Sequence, residues 1–165
     1  MMNAGLQKVL YTIYWFFFSW FNLSDEDRSE YKLLIAKLDT PMKVQAWLWA
    51  NMKYVEDKKM DDSWQTAEKT FSRRRGDCED WAVMANACLR YKYKGQFLCM
   101  YTADSGHATY LIETGDKSYT SLGTFGMMKH HGDIGDIIKD WKGYRSWTHY
   151  VIRDENQKKV IKVIR

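Results

Sequence analysis

Residues 75–82 read RGDCEDWA, and this stretch has the properties of a helix start. Asp77 suits the N-cap, and apolar residues recur at helical spacing after it, at Trp81, Met84, Ala85, Cys88 and Leu89. Cys78 would then lie in the first turn, where unpaired backbone amides and the helix dipole favour a negative charge. Such a position lowers a thiol pKa and supplies thiolate, and a backbone N–H there can stabilise an oxyanion.

Two acids follow the cysteine directly and act against this effect. A carboxylate facing the sulfur would disfavour thiolate, so we expect Glu79 and Asp80 to point toward caps or neighbouring loops. A cysteine at a helix start can also be present for packing alone. This segment by itself therefore leaves a catalytic and a structural interpretation of Cys78 open.

A histidine lies 29 residues after Cys78, in Ser105-Gly106-His107-Ala108 at the start of a predicted strand. A neutral imidazole near a thiol can accept its proton and later protonate a leaving amine. A histidine in this position can also be merely polar and exposed. We expect the helix that begins at Cys78 to pack against the sheet that holds His107, which would bring the two residues together.

Helices are predicted on the N-terminal side of this stretch. Ser24 precedes three acids, which suits the start of a helix that continues to about Leu38. Thr40-Pro41 begins a second helix, expected to end near Asp57. A third, shorter helix is predicted over residues 63–73.

After Gly95 the pattern becomes that of strands, predicted at residues 97–101, 107–113, 118–122, 147–152 and 160–164, with a short helix over 134–141. Residues 114–117 and 154–157 are the predicted hairpin turns. Helices first and strands afterwards favour an α+β fold, with N-terminal helices packed on a C-terminal antiparallel β-sheet. With no linker-like stretch, residues 1–165 are interpreted as a single domain.

The charge and cysteine content narrow the class of protein. The net charge is +4, and the basic runs at residues 73–75 and 158–159 lack interleaved aromatics, so we expect no nucleic-acid partner. The three cysteines, Cys78, Cys88 and Cys99, cannot all pair within one chain and show no CxxC spacing. This odd count favours a reducing compartment, and we expect a cytoplasmic protein.

The N-terminal stretch Val9–Leu23 is apolar and heavily aromatic. It is shorter than the roughly 20 apolar residues of a spanning helix. We interpret residues 1–23 as an apolar N-terminal helix packed on the domain or a partner chain. An interfacial anchor making peripheral membrane contact and an uncleaved signal segment remain alternatives.

Three motifs resemble a known family: WQTAE at residues 64–68, RGDCEDWA at 75–82 and GHA at 106–108. They are similar to the transglutaminase-like superfamily, closest to the bacterial transglutaminase-like cysteine proteinases, which have a papain-like fold. The resemblance covers about residues 40–124. It implies that Cys78 is the nucleophile and His107 the general base.

The family's third catalytic residue is an Asp or Asn on the next strand, and this chain has neither at that place. The strand reads SYTSLG over residues 118–123, where Ser121 is the nearest polar candidate. The third residue orients the imidazole, so its absence implies a dyad, a weaker enzyme or an inactive one. The family also tends to use an upstream side-chain donor at the oxyanion site, for which Asn51 is the candidate.

No metal or other cofactor is expected. Some relatives bind calcium near the acids around the cysteine, and Asp77, Glu79 and Asp80 could supply oxygen ligands, but capping and surface polarity explain them without a metal. His130-His131 has no partner at ligand spacing and is expected in an exposed loop.

These observations predict a cysteine peptidase or amidase that acts on a protein or peptide substrate through a thioester on Cys78. Hydrolysis is favoured over acyl transfer, since the chain is short and lacks obvious accessory substrate domains. A catalytically inactive binding module with the same fold is the main alternative. A membrane-peripheral structural protein is a third, suggested by Val9–Leu23.

Overall fold

A computed structural model describes residues 24–56, 64–115, 118–142, 147–156 and 160–164 of the 165-residue chain. The helix predicted over residues 1–23 lies outside this part. Among the described residues, no helix combines the length and the apolar character that crossing a membrane requires.

Two capped helices begin the described chain. Helix α1 spans Asp25–Lys37, and the Ser24 hydroxyl accepts the Asp27 N–H at 3.0 Å. Helix α2 spans Pro41–Asn51, and the Thr40 hydroxyl accepts the Lys43 N–H at 3.4 Å. Both predicted starts are confirmed. The predicted end of α2 near Asp57 is wrong, because Met52 is extended and leads into strand β1 at Lys53–Tyr54.

The next three elements position the cysteine. Helix α3 spans Ala67–Arg73, and the residue after it, Arg74, has a left-handed backbone with φ of 51°. This reversal directs the chain into strand β2, Arg75–Gly76, which pairs in parallel with β1. Helix α4 then spans Cys78–Leu89, as the sequence predicts.

Six further strands and one helix complete the fold: β3 (Gly95–Tyr101), β4 (Gly106–Gly115), β5 (Ser118–Leu122), β6 (Met128–His131), α5 (Ile134–Lys142), β7 (His149–Arg153) and β8 (Val160–Ile164). In the described residues the six strands form one sheet in the order β6-β5-β4-β3-β7-β8, and each neighbouring pair is antiparallel. Both predicted hairpins, β4–β5 and β7–β8, are confirmed. Strand β6 was not predicted.

Side chains alternate across this sheet and build a core on each face. Phe97, Cys99, Tyr110 and Ile112 pack with α2, α3 and α4 on one face. On the other face, alternate residues of β3 and β4 pack with α5, with β7 and with Trp147 just before β7. The members of this core are Leu98, Met100, Leu111, Ile137, Ile138, Trp147, Tyr150 and Ile152. The α+β class, with N-terminal helices on an antiparallel sheet, is confirmed.

Candidate active site

Cys78 is the first residue of α4, and Asp77 occupies the N-cap position. The predicted N-cap position is confirmed, although the Asp77 side chain makes no capping hydrogen bond. Its extended backbone starts the helix, and the Asp77 carbonyl accepts the Trp81 N–H at 3.2 Å.

The WQTAE segment docks on α4 through Asp80. The Gln65 backbone N–H donates to Asp80 Oδ1 at 2.8 Å, and the Gln65 side-chain amide donates to Oδ2. Gly76 makes room for this contact, because a Cβ there would overlap the Asp80 side chain. Asp80 therefore points to a neighbouring segment, as expected, and joins two of the sequence motifs.

Glu79 is placed differently from the expectation. The Cys78 thiol donates a hydrogen bond to Glu79 Oε2 at 3.2 Å, and both residues are buried. Burial is the largest cause that raises the pKa of the Cys78 thiol, and the negative charge of Glu79 is the next. A backbone hydrogen bond from Ala108 acts in the opposite direction. The thiol is therefore held protonated despite its position at a helix start.

His107 is the second residue of β4 and is buried. It pairs across the sheet with Met100, and its ring lies 4.4 Å from the Phe125 ring and 6.3 Å from the Trp147 ring. The next residue, Ala108, is the one whose backbone hydrogen-bonds to the Cys78 sulfur. The sulfur thus lies against the strand directly beside the histidine position.

A cleft of about 390 Å³ lies over this end of the sheet, and Cys78 and His107 both line it. Its other walls come from the segment around Tyr54, from Trp64, from Tyr101 at the end of β3 and from the turn that follows, including Asp104. None of these was predicted as a site residue. Trp64 carried a signal as the first residue of WQTAE, whereas nothing in the sequence placed Asp104 beside Cys78.

Ser121 is fully buried, and its hydroxyl lies 2.9 Å from His130 Nε2. His130 Nδ1 lies 3.0 Å from Asp140 Oδ2, so Ser121, His130 and Asp140 form a chain that joins β5, β6 and α5. Ser121 does not line the cleft that holds His107. His130 is 3% exposed and lies in a strand, so the prediction of an exposed loop is wrong there.

Asn51 lies at the end of α2, and its side-chain amide donates to the Trp47 carbonyl at 2.9 Å. The residue is exposed and does not line the cleft. The structure therefore brings Cys78 and His107 to one cleft and places Asn51 and Ser121 elsewhere.

The donor atoms of Asp77, Cys78 and Glu79 all lie within 4.8 Å of one another. Calcium binds six to eight oxygen ligands, whereas this set offers two carboxylates and a sulfur. The third acid, Asp80, is already bonded to Gln65. Calcium at these acids stays a prediction, since carboxylates can bind through both oxygens and water can complete the shell.

The sequence model of one protein family, described as a transglutaminase-like domain, matches residues 33–121. Since this match spans more than half of the 165 residues, the chain belongs to that family. The resemblance deduced from the three motifs is thereby confirmed. A comparison with curated proteins finds no match.

Solved structures with a similar fold include Legionella pneumophila LapG, which is 15% identical over 68% of this chain and 72% of that chain, with a TM-score of 0.48. Its calcium-bound form is 17% identical over 64% and 68%, with a TM-score of 0.44. Its EGTA-treated form is 18% identical over 64% and 66%, with a TM-score of 0.45. The family assignment rests on the sequence match and not on these structures.

Proposed function

We propose that the chain is a thiol-dependent amide-bond hydrolase or acyl transferase, with Cys78 as nucleophile and His107 as general base. One observation carries the proposal: the Cys78 sulfur opens into a cleft at the start of α4 and bonds the backbone of Ala108, the residue after His107. A nucleophile and a base from separate elements then share one cavity. The substrate is a protein or peptide, met in a reducing compartment.

The proposed reaction has two steps. The imidazole of His107 takes the thiol proton, and the sulfur attacks the amide carbon to form a tetrahedral intermediate. The imidazolium returns the proton to the leaving amine, the C–N bond breaks, and an acyl thioester remains on Cys78. Water or a second amine then gives a proton to His107 and attacks the thioester, the C–S bond breaks to give an acid or a new amide, and the imidazolium returns the proton to the Cys78 thiolate.

The start of α4 supports this chemistry electrostatically. The first backbone N–H groups of a helix have no partner within it, and we infer that those at the start of α4 would stabilise an oxyanion next to Cys78. We infer that packing against Phe125 and Trp147 helps to hold the His107 ring, since this chain has no Asp or Asn where the family's third residue is expected. Ser121 has no part in the proposed reaction, because it does not line the cleft.

The test is to incubate the purified chain with a random peptide library and identify products by mass spectrometry. Cys78→Ala should abolish product formation, and His107→Ala should lower it by about 10²- to 10⁴-fold, the usual contribution of a general base. Cys88→Ala is the matched control, because that buried thiol does not line the cleft. This variant should form the same products as the native chain. Products that persist in Cys78→Ala would exclude the thioester mechanism.

A catalytically inactive binding module is the second candidate, and the raised pKa of Cys78 favours it. A module of this kind would keep the cleft and lose the reactive thiolate. The rate of Cys78 alkylation by iodoacetamide, followed against pH, separates the two. An enzyme requires that Cys78 react faster than Cys88 and that His107→Ala change its pH profile, whereas equal rates and an unchanged profile identify a binding module.

A further inference from the structure

The turn that follows strand β5, residues 123–126, lies beside His107. In the register of β4 and β5, Tyr110 pairs with Leu122, the last residue of β5. His107 stands three residues before Tyr110, and Phe125 stands three residues after Leu122. The two rings lie 4.4 Å apart. The 123–126 turn therefore brings an aromatic side chain to the histidine just beyond the end of the paired strands.

Helix α2 holds the first residue of this turn. The Gln45 side-chain amide donates to the Gly123 carbonyl at 2.9 Å, and the Gly123 N–H donates to the Gln45 side-chain oxygen at 3.1 Å. The same carbonyl accepts the Gly126 N–H at 3.0 Å and so closes the turn. Hydrogen bonds are directional, and two of them to one buried peptide unit fix its orientation as well as its position.

Helix α2 also holds the last residue of the turn. Trp49 follows Gln45 by four positions, so both side chains project from neighbouring places on the helix surface. A Cβ added to Gly126 would lie 2.6 Å from Trp49 Cζ2, which shows that the indole packs directly on the Gly126 backbone. Gly126 has a φ of 94°, a conformation that favours glycine. Gln45 and Trp49 thus hold the two ends of the turn that carries Phe125.

We propose that Gln45 and Trp49 are positioning residues for His107, and that they act through the 123–126 turn and the Phe125 ring. This chain has no Asp or Asn where the family's third catalytic residue is expected, so another restraint must hold the imidazole. A displacement of about 1 Å in a reacting group can lower a rate by about 10²-fold. The catalytic consequence rests on the proposed function, whereas the restraint on the ring does not require turnover.

Four variants separate this role from a general effect on the fold. Trp49→Ala removes the contact with Gly126, and Trp49→Phe keeps an aromatic ring at the same position. Phe125→Ala removes the ring that contacts His107 and so gives the full effect. Met42→Ala is the matched control, because Met42 is 70% exposed and Trp49 is 60% exposed on the same helix. The two residues lie seven positions apart, or about 10 Å along the helix.

Proton NMR of the His107 ring measures the restraint without any substrate. An aromatic ring shifts the resonances of protons that lie against it, so the His107 signals, assigned with His107→Ala, report the position of Phe125. Trp49→Ala should move these signals in the same direction as Phe125→Ala, and Trp49→Phe should move them less. Met42→Ala should leave them in place. Unchanged His107 signals in Trp49→Ala, or an equal change in Met42→Ala, overturn the proposal.

Digestion of the random peptide library measures the consequence for the reaction. Trp49→Ala should slow product formation by about tenfold, less than the cost of a full displacement, because Gln45 still holds the other end of the turn. Trp49→Phe should restore most of the rate, and Met42→Ala should retain it. Shifted His107 signals with an unchanged rate in Trp49→Ala overturn the positioning role. If the native chain forms no product while the signals shift as expected, the proposed enzyme function fails and the restraint on His107 stands.

Discussion

The Cys78 thiol donates a hydrogen bond to the carboxylate of Glu79, its neighbour in the chain, at 3.2 Å. The helix start favours a thiolate at this position, and the buried carboxylate opposes it. The pKa of Cys78 is raised, with burial as the largest cause and Glu79 as the next, so the opposing effects dominate. The resting site therefore holds a thiol that must lose its proton as the reaction begins.

Replacing Glu79 with Gln should speed alkylation of Cys78 by iodoacetamide. The substitution removes the adjacent negative charge, and each unit by which the thiol pKa falls gives about tenfold more thiolate below that pKa. We expect an increase of about tenfold at about pH 8. Glu68→Gln, also an acid in the first turn of a helix, is the control and should leave the rate unchanged. An unchanged rate in Glu79→Gln would mean that burial alone keeps the thiol protonated.

The Ser121 hydroxyl should matter for stability and not for the thiol. Ser121→Ala leaves the buried His130 Nε2 without its 2.9 Å partner, which should lower the free energy of unfolding by about 1–3 kcal/mol. Ser118→Ala is a matched control on the same strand, because Ser118 lies 3.4 Å from His131 in an exposed pair and should change stability by at most about 0.5 kcal/mol. Urea unfolding measures both. If Ser121→Ala instead slows Cys78 alkylation, Ser121 serves the cleft after all.

The elements that the sequence predicted are those whose signals are local. The caps at Ser24 and Thr40, the start of α4 at Cys78 and the β4–β5 hairpin each depend on residues within a few positions of one another. Side-chain caps, helical periodicity and turn residues act over such distances, so a single sequence is sufficient to recognise them.

The features that the sequence did not predict depend on distant residues. Strand β1 exists because Lys53 and Tyr54 pair with Arg75 and Gly76, about twenty positions later. Strand β6 exists because it pairs with β5, and the burial of His130 follows from contacts with Ser121 and Asp140. Two residues of a pair carry no mutual signal in one sequence, so such pairings become visible only in three dimensions.

The same distinction applies to the candidate site. Cys78 and His107 were identified by motif, and the structure places them in one cleft. The orientation of Glu79 could not be deduced, because a side chain in the first turn can face either solvent or its neighbour. The positions of Glu56 and Asp104 in the cleft wall could not be deduced either, since both lie in segments that meet the cysteine only when the sheet and α4 have assembled.

Gln45 should be needed to hold the loop that carries Phe125. Its side-chain amide donates to the Gly123 carbonyl at 2.9 Å and accepts the Gly123 N–H at 3.1 Å, and all of these groups are buried. Gln45→Ala leaves the N–H and the carbonyl of Gly123 unsatisfied. It should lower the free energy of unfolding, measured with urea, by about 2–6 kcal/mol, at about 1–3 kcal/mol for each group. Met42→Ala, at a 70% exposed position of the same helix, is the control and should have little effect. A smaller loss of unfolding free energy in Gln45→Ala than in Met42→Ala would show that water replaces the Gln45 amide as the partner of the Gly123 backbone.

Ionisation of Cys88 in the unfolded chain should lower the free energy of unfolding at alkaline pH. Burial raises the pKa of the Cys88 thiol to about 12, whereas an unfolded chain has a thiol pKa of about 8.5. Between these values the unfolded chain has lost this proton and the folded chain keeps it, so the contribution is fully present below about pH 8.5 and declines as pH rises toward 12. The expected slope is about 1.4 kcal/mol of unfolding free energy lost per pH unit from this one group.

Urea unfolding in the presence of a reductant, at several values from about pH 9 to about pH 10.5, measures this slope within the expected titration window. Cys88→Ala should reduce the slope by about 1.4 kcal/mol per pH unit, because alanine has no proton to lose. Val83→Ala, at another buried position of α4, removes apolar volume without a titrating group and should lower stability while keeping the native slope. The comparison of slopes is independent of the cavity that each substitution creates. Parallel pH profiles for the native chain and Cys88→Ala would show that this thiol ionises as readily in the folded protein as in the unfolded one, and that its burial in α4 does not exclude water.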